Sequence, residues 1–292
     1  MKICMVIPFF YNWNSFPTTR ATYEYLQILG HKVDLFNKNQ NPKIDYNKYD
    51  QVWLVGAGTK ITEEEFEKIK IPVIAFGLSD PNLYSEEHME NCDIYVTNDW
   101  RLYNDLKNKK LVIYNPTSCD KRYHKNLHLK KETDILVIGV GKHSFIPNRN
   151  EVVNKLRELG FNVKVFGHEW DKNEDTHGFI EGEQLIEEIN KTHIVLDITN
   201  DTSALAHRIF ESSACGTPVL TYNREDTRML FKENEEIFFY DDSFSMIKKL
   251  IFLLQYEYLG YIGKQTQKIC YQDHDISIRI QELFKKLKEV GL

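Results

Sequence analysis

The stretch GFIEGEQLIEEINKTHIVLDITNDTSALAHRIFESSACGTPVL, Gly178–Leu220, decides the fold. Within Glu183–Lys191, apolar Leu185, Ile186 and Ile189 recur at helical spacing. HIVLDI (193–198) is a short apolar run rich in β-branched residues, which suits a parallel strand buried on both faces. Residues 199–203 are polar and turn-forming, and Asp201, Thr202 or Ser203 can cap a helix. Ala204–Cys215 reads as that helix, with Ala204, Ala206 and Ala214 permitting close approach. Gly216 stops it, and Pro218 leads into the strand PVLTY.

A loop at the carboxyl end of a parallel strand that feeds a helix amino terminus is where α/β sheets bind phosphates and nucleotides. The helix after this loop carries Arg208 and Glu211. A carboxylate at that depth is costly unless it meets hydroxyls or a cation, and a ribose diol would satisfy Glu211. Upstream, TDILVIGVG (133–141) reads as a strand with Gly139 and Gly141 at its exit, and Lys142 and Arg149 follow. The glycines let a ligand approach the backbone, and the two cations suit a pyrophosphate. Gly56-Ala57-Gly58 and Gly139-Val140-Gly141 each lack the third glycine of a dinucleotide fingerprint, because Ile61 and Ser144 stand there. NAD and FAD are not expected.

Working outward, a helix over 150–159 and a strand over 161–170 precede the central stretch. A helix near Thr227, a strand over 236–240, a helix from Ser243 to about Tyr258 and a terminal helix over 275–290 follow it. The apolar cluster 247–262 is broken by charges and reads as a core helix, or as an amphipathic helix that touches a membrane. In the first half, KICMVIPFF (2–10), HKVDLF (31–36) and runs at 49–58, 71–81, 92–99 and 110–116 alternate with helical segments at 21–29 and 63–70. Alternating strands and helices predict a parallel, doubly wound sheet. The pattern lapses over Tyr114–Lys131, a stretch rich in polar and basic residues: a solvated linker or a local basic patch. Ser79-Asp80-Pro81 falls just past a strand end, so Asp80 is either a base at the crevice or an ordinary Asp-Pro turn.

The 292 residues allow two α/β domains, and 42% hydrophobic with 27% charged residues is a globular balance. A net charge of −6 gives no sign of general nucleic-acid affinity. Cys4, Cys92, Cys119, Cys215 and Cys270 are scattered without a C-x-x-C pair, which predicts reduced thiols and a cytoplasmic protein. No run reaches the roughly 18 apolar residues of a membrane span, so no integral membrane segment is expected. Asp273-His274-Asp275 spells D-x-D but sits before the terminal helix, and Asp241-Asp242 reads as a helix cap. No metal site and no cofactor are expected.

The run R-I-F-E-S-S-A-C-G-T-P-V-L, Arg208–Leu220, resembles the donor-binding core of GT-B glycosyltransferases, and among them the CgeB/YkvP-like group. L-G-H-x-V at 29–33 and the ending Y-Q-D-H-D-I-S-I-R, with His274 and Arg279, are similar to that group as well. The resemblance implies two Rossmann-like domains facing a cleft: an acceptor domain over 1–125, a nucleotide-sugar donor domain over 126–274, and a terminal helix (275–292) crossing back to the first. It implies a metal-independent transferase, retaining in outcome, that takes a nucleotide-diphosphate sugar as co-substrate. Donor contacts would come from Gly141, Arg149, His177, Gly178, Ser203, Ala204, Leu205 and Glu211. Asp80, Lys142 and Arg208 would act in transfer. Trp13, Ser15 and Arg20 would face the acceptor, whether protein, glycan, small molecule or modified nucleic acid. Larger retaining families carry a second Glu where Ser203 stands here. A non-catalytic nucleotide- or sugar-binding protein, or a nucleotide-sugar isomerase of the same fold, remains open on the residues themselves.

Overall fold

The computed structural model of the chain describes residues 1–8, 18–56, 59, 61–77, 86–142, 148–199, 205–255 and 258–292, with 86–88 described by backbone alone. It divides into two compact units, Met1–Thr117 with Ile276–Leu292, and Ser118–Asp275.

The first unit runs β1 (Lys2–Ile7), α1 (Thr18–Ile28), β2 (Lys32–Asn37), β3 (Gln51–Val55), α2 (Glu63–Lys68), β4 (Val73–Gly77), α3 (Glu86–Asn91), β5 (Ile94–Thr97), α4 (Trp100–Leu106) and β6 (Val112–Tyr114). Its six strands lie in the order β2-β1-β3-β4-β5-β6, and every pair is parallel. Alternation along β1 shows why the run is apolar throughout: Ile3, Met5 and Ile7 enter one core layer while Cys4 and Val6 enter the other. Local capping starts the helices. Thr62 and Glu65 form a capping box on α2, and the Asp99 carboxylate accepts from the amides of Arg101 and Leu102 to begin α4.

The second unit runs β7 (Thr133–Ile138), α5 (Arg149–Glu158), β8 (Val163–Phe166), β9 (Thr176–His177), α6 (Gly182–Asn190), β10 (Thr192–Leu196), α7 (His207–Ala214), β11 (Val219–Tyr222), α8 (Glu225–Leu230), β12 (Phe238–Tyr240), α9 (Ser243–Leu254) and α10 (Leu259–Asp273). The parallel order is β12-β11-β10-β7-β8-β9. From β7 the chain winds outward through β8 and β9, then returns to lay β10 on the other side of β7, with Ile194 opposite Ile135. The boundary between β7 and β10 is therefore the topological switch point, where a crevice opens at the carboxyl ends of the strands. The final helix, α11 (Ile276–Glu289), belongs to the first unit, where it buries Ile276, Ile280, Leu283 and Leu287 in the layer that holds Ile3, Met5 and Trp53.

Three features differ from the reading of the sequence. Helix α7 begins at His207, not at 204, with Ala206 at its N-cap and no side-chain cap. The helix expected from Ser243 to about Tyr258 ends at Leu254 as α9, and the apolar cluster 247–262 runs on into a separate helix, α10. The chain leaves the first unit at Thr117, ahead of residue 125, because the next residues bond to the end of α10 and its exit. The Cys119 amide donates to His274 O at 3.0 Å, and the Asp275 carboxylate receives the Lys121 amide at 2.9 Å and its ammonium at 3.5 Å. The basic run is thus partly consumed locally: Arg122 chelates Asp120, and burial pulls the Lys131 ammonium down to about 8.

All five cysteines are free and buried. Burial is the leading cause that raises the Cys4 thiol to about 12 and the Cys92 thiol to about 11 from an ordinary 9.0. Above pH 9 the unfolded chain releases thiol protons that the folded protein keeps, so stability falls with rising pH. Each such thiol contributes about 1.4 kcal/mol per pH unit between its unfolded and folded values. Thermal melting followed from neutral pH to 11 is expected to show this decline, and Cys4→Ala is expected to flatten it by one proton's share; an unchanged slope in the variant would remove Cys4 from the account.

Candidate active site at the carboxyl ends of β7 and β10

Asp197, the first residue after β10, is 1% exposed. A carboxylate there must be paired, and the neighbouring strands supply the partners. Arg208 Nη1 donates to Oδ1 at 2.8 Å, while Thr221 Oγ1 from β11 and Thr199 Oγ1 donate to Oδ2 at 2.9 and 3.2 Å. Tyr240, at the end of β12, fixes the backbone of the same turn: its hydroxyl accepts from the Thr199 amide at 3.0 Å and lies 2.9 Å from Asp197 O. Burial, and next the Asp197 charge, push that phenol above its ordinary range, so it remains a donor.

Arg149 opens α5 and is 5% exposed. Its Nε donates to Ile198 O and its Nη1 to Val140 O, both at 2.9 Å, so one guanidinium ties the turn after β10 to the turn after β7. Burial first, then the charge of Arg208, lower it to about 10, which leaves it a cation at neutral pH. Among the described residues, Asp197 is the one carboxylate bonded to either guanidinium.

Gly139, with φ +147°, stands between the two arginines: a Cβ there would lie 2.8 Å from Arg149 Nη1 and 3.6 Å from Arg208 Nη2. The turn is clasped from the β8 side. Trp170 Nε1 donates to Gly139 O at 2.8 Å, and Gly167, at φ +129°, passes so close that a Cβ would collide with that same carbonyl. Gly141 is equally constrained by the Glu169 carbonyl, and its amide donates to His168 O at 2.8 Å. The missing side chain at Gly139 lets both guanidinium groups close on this turn.

Arg208 Nε is buried without a partner among the described residues. Asp197 therefore holds one edge of this guanidinium and leaves Nε uncommitted. Glu211, three residues on and half-buried, forms no side-chain hydrogen bond or ion pair with the described residues. A carboxylate and a guanidinium at helical spacing would ordinarily pair; here Arg208 is taken by Asp197, and Glu211 stays available to hydroxyl donors.

The other expected residues fall as follows. His177 lies on β9 with its ring stacked on Phe166 at 4.9 Å and its Nε2 buried without a partner. Gly178 is exposed beside it and its carbonyl accepts from the Gly167 amide. Leu205 is buried, and Lys142 is exposed with no ion pair among the described residues. Arg20 is in the first unit, on α1, where Nε meets Glu24 at 2.6 Å. Trp13, Ser15, Asp80, Ser203 and Ala204 lie outside the described residues. His274 binds Leu230 O at 3.0 Å and packs on Phe210 and Phe231. The Asp242 carboxylate caps α9 through the Ser245 amide at 2.7 Å. Among the described residues no three His, Cys, Asp or Glu side chains converge as a metal would require. No described helix is long and apolar enough to cross a membrane.

A family model described as "Glycosyl transferase-like" matches residues 149–285, a span containing Arg149, Asp197, Arg208 and Glu211. Comparison with curated proteins found no match. Among solved structures the chain is similar to sucrose-phosphate synthase from Thermosynechococcus elongatus, at 11% identity and TM-score 0.71 over 100% of both chains. It is similar to Anabaena HepE in complex with UDP, at 12% identity and TM-score 0.66 over 99% of this chain and 100% of that one. It is also similar to the β-glucosyltransferase of T4 phage, at 15% identity and TM-score 0.65 over 98% and 99%. The likeness at these identities is one of fold. The chain has the GT-B fold, with two parallel six-stranded α/β sheets.

Asp197→Asn keeps the shape and removes the charge that pairs Arg208. It is expected to cost about 3 kcal/mol in denaturant unfolding, as removal of one partner of a buried pair does. A loss below about 0.5 kcal/mol, the size of an ordinary surface substitution, would show that the pair is not what holds Arg208.

Proposed function

We propose that the protein is a glycosyltransferase of the CgeB/YkvP-like kind, which moves a sugar from a nucleotide-diphosphate sugar to an acceptor hydroxyl. The observation that carries this reading is the two guanidinium groups, Arg149 and Arg208, fixed at the β7/β10 switch point, inside the span matched by the glycosyl transferase-like family model. Transfer breaks the bond between the anomeric carbon and the diphosphate oxygen, forms one to the acceptor oxygen, and leaves negative charge on the departing diphosphate. Fixed cations aimed at that charge lower the barrier.

In this reading Arg208 and the Gly139 turn hold the diphosphate, Arg149 fixes the turn and adds to the field, and Lys142 supplies a mobile cation. Glu211 accepts from the ribose hydroxyls. His177 and Gly178 flank the base, and Ser203, Ala204, Leu205 and Gly141 complete the donor surface. The acceptor belongs to the first unit, through Trp13, Ser15 and Arg20, with Asp80 taking its proton. Side-chain cations meet the leaving-group charge, so the proposal invokes no metal, and the resemblance of Arg208–Leu220 favours a retaining outcome. The UDP bound to HepE makes uridine diphosphate the first nucleotide to try.

Thermal melting against nucleoside diphosphates and their sugars tests the reading. A donor at roughly a hundredfold excess over its Kd is expected to stabilise the wild type by about 3 kcal/mol, and Glu211→Ala is expected to lose most of that gain. The stabilising sugar nucleotide should then release its nucleoside diphosphate on incubation. Stabilisation without release would mark a binding protein, and no stabilisation by any member would overturn the donor site.

A further inference from the structure

Helix α9 is apolar on two faces. Met246, Leu250 and Leu253 are buried in the core of the second unit. The exposed positions of the same helix include Phe244, Lys248, Ile251 and Phe252, with Phe244 77% and Phe252 55% exposed. At 3.6 residues per turn these four fall within an arc of roughly 100°, turned away from the buried stripe. A surface helix of a globular unit normally turns charged and polar residues outward, and a contiguous apolar stripe in that place marks an interaction surface. Two further aromatic side chains, Tyr258 and Tyr261, are exposed at the start of α10. Tyr258 stacks on Tyr261 at 5.6 Å, and Tyr261, 54% exposed, shares its face of α10 with exposed Lys264 and Lys268.

Three lysines share the faces of these exposed side chains. Lys248, Lys264 and Lys268 form no ion pair with the described residues, although the whole chain carries −6. Among the described acids near them, Glu233 holds Lys249 at 2.5 Å and Asp242 caps α9. A two-fold contact between copies across α9 would set Lys248 against its own copy. Aromatic and aliphatic side chains interleaved with lysines that form no ion pair among the described residues fit a lipid interface instead, where rings enter the headgroup layer and ammonium groups meet lipid phosphates.

We infer that the outer face of α9, with the first turns of α10, docks on the surface of an anionic lipid bilayer. Phe244, Ile251 and Phe252 enter the headgroup region, and Lys248, Lys264 and Lys268 meet its phosphates. The helix lies in the interface and does not span it. This surface is independent of the donor chemistry.

Co-sedimentation of the full chain tests it, using vesicles of phosphatidylcholine alone and vesicles with an equal part of phosphatidylglycerol. The protein is expected to bind the anionic vesicles and not the neutral ones, and added salt should release it. Each lysine replaced by Gln should weaken binding about fivefold, and the double variant F244S/F252S should abolish it with the melting temperature unchanged. Absence of binding to anionic vesicles, or equal binding to both kinds, overturns the inference. So does a wild-type dimer by light scattering that F244S/F252S dissolves, since that would assign the face to a second copy.

Discussion

Asp197 sits at the end of a strand with almost no access to water and one guanidinium edge against it. Its charge is what lets Arg208 and Arg149 stand close together at the end of the β7/β10 pair. Without it, two like charges in a half-buried crevice would repel, and the outer one would turn to solvent. With it, Arg208 is oriented, and its Nε stays uncommitted among the described residues. A buried pair of this kind adds little to stability by itself; its effect here is to fix a cation where the sheet opens.

That arrangement depends on the fold at two levels. The reversal of strand order between β7 and β10 opens the crevice, and the parallel sense of every strand directs all six carboxyl ends toward it. The turns then have to be thin. Gly139 and Gly167 adopt positive φ where their backbones meet, and Trp170 locks the carbonyl between them. Arg149 adds the last constraint by bonding to one carbonyl from each turn. The first unit has its own reversal, between β1 and β3, but only one strand, β2, lies beyond its switch where β8 and β9 both lie beyond that of the second, so the two sheets are related and not identical in order.

Much of the frame was legible from period and composition, because strands buried on both faces must read as continuous apolar runs such as ICMVI and HIVL. Helix α11 was legible through Ile276, Ile280, Leu283 and Leu287. Helix α10 was not, since the residues it buries include Gly263, Thr266 and Cys270, which carry no apolar period. Gly263 is there because α10 lies against the Gly216 carbonyl and has no room for a Cβ. The start of α7 was misjudged because cap-forming residues at 201–203 precede it, yet the chain enters the helix at Ala206 without a side-chain cap. At the site, Arg149, Arg208, Glu211 and the glycine turn could be picked out from residue type and position. Asp197 could not be matched to Arg208 by spacing alone, although a lone Asp inside HIVLDI was the signal that a buried cation had to exist. Thr199, Thr221 and Tyr240 join it only through the sheet.

The central claim is that the cation fixed by Asp197 receives the terminal phosphate of a nucleoside diphosphate. Calorimetric titration of the wild type and Arg208→Met, each with a stabilising nucleoside diphosphate and with its monophosphate, isolates that contact. The account predicts that the wild type favours the diphosphate by roughly tenfold or more, the worth of a charged hydrogen bond, and that Arg208→Met brings the two ligands to nearly equal affinity. An unchanged preference in the variant would contradict it.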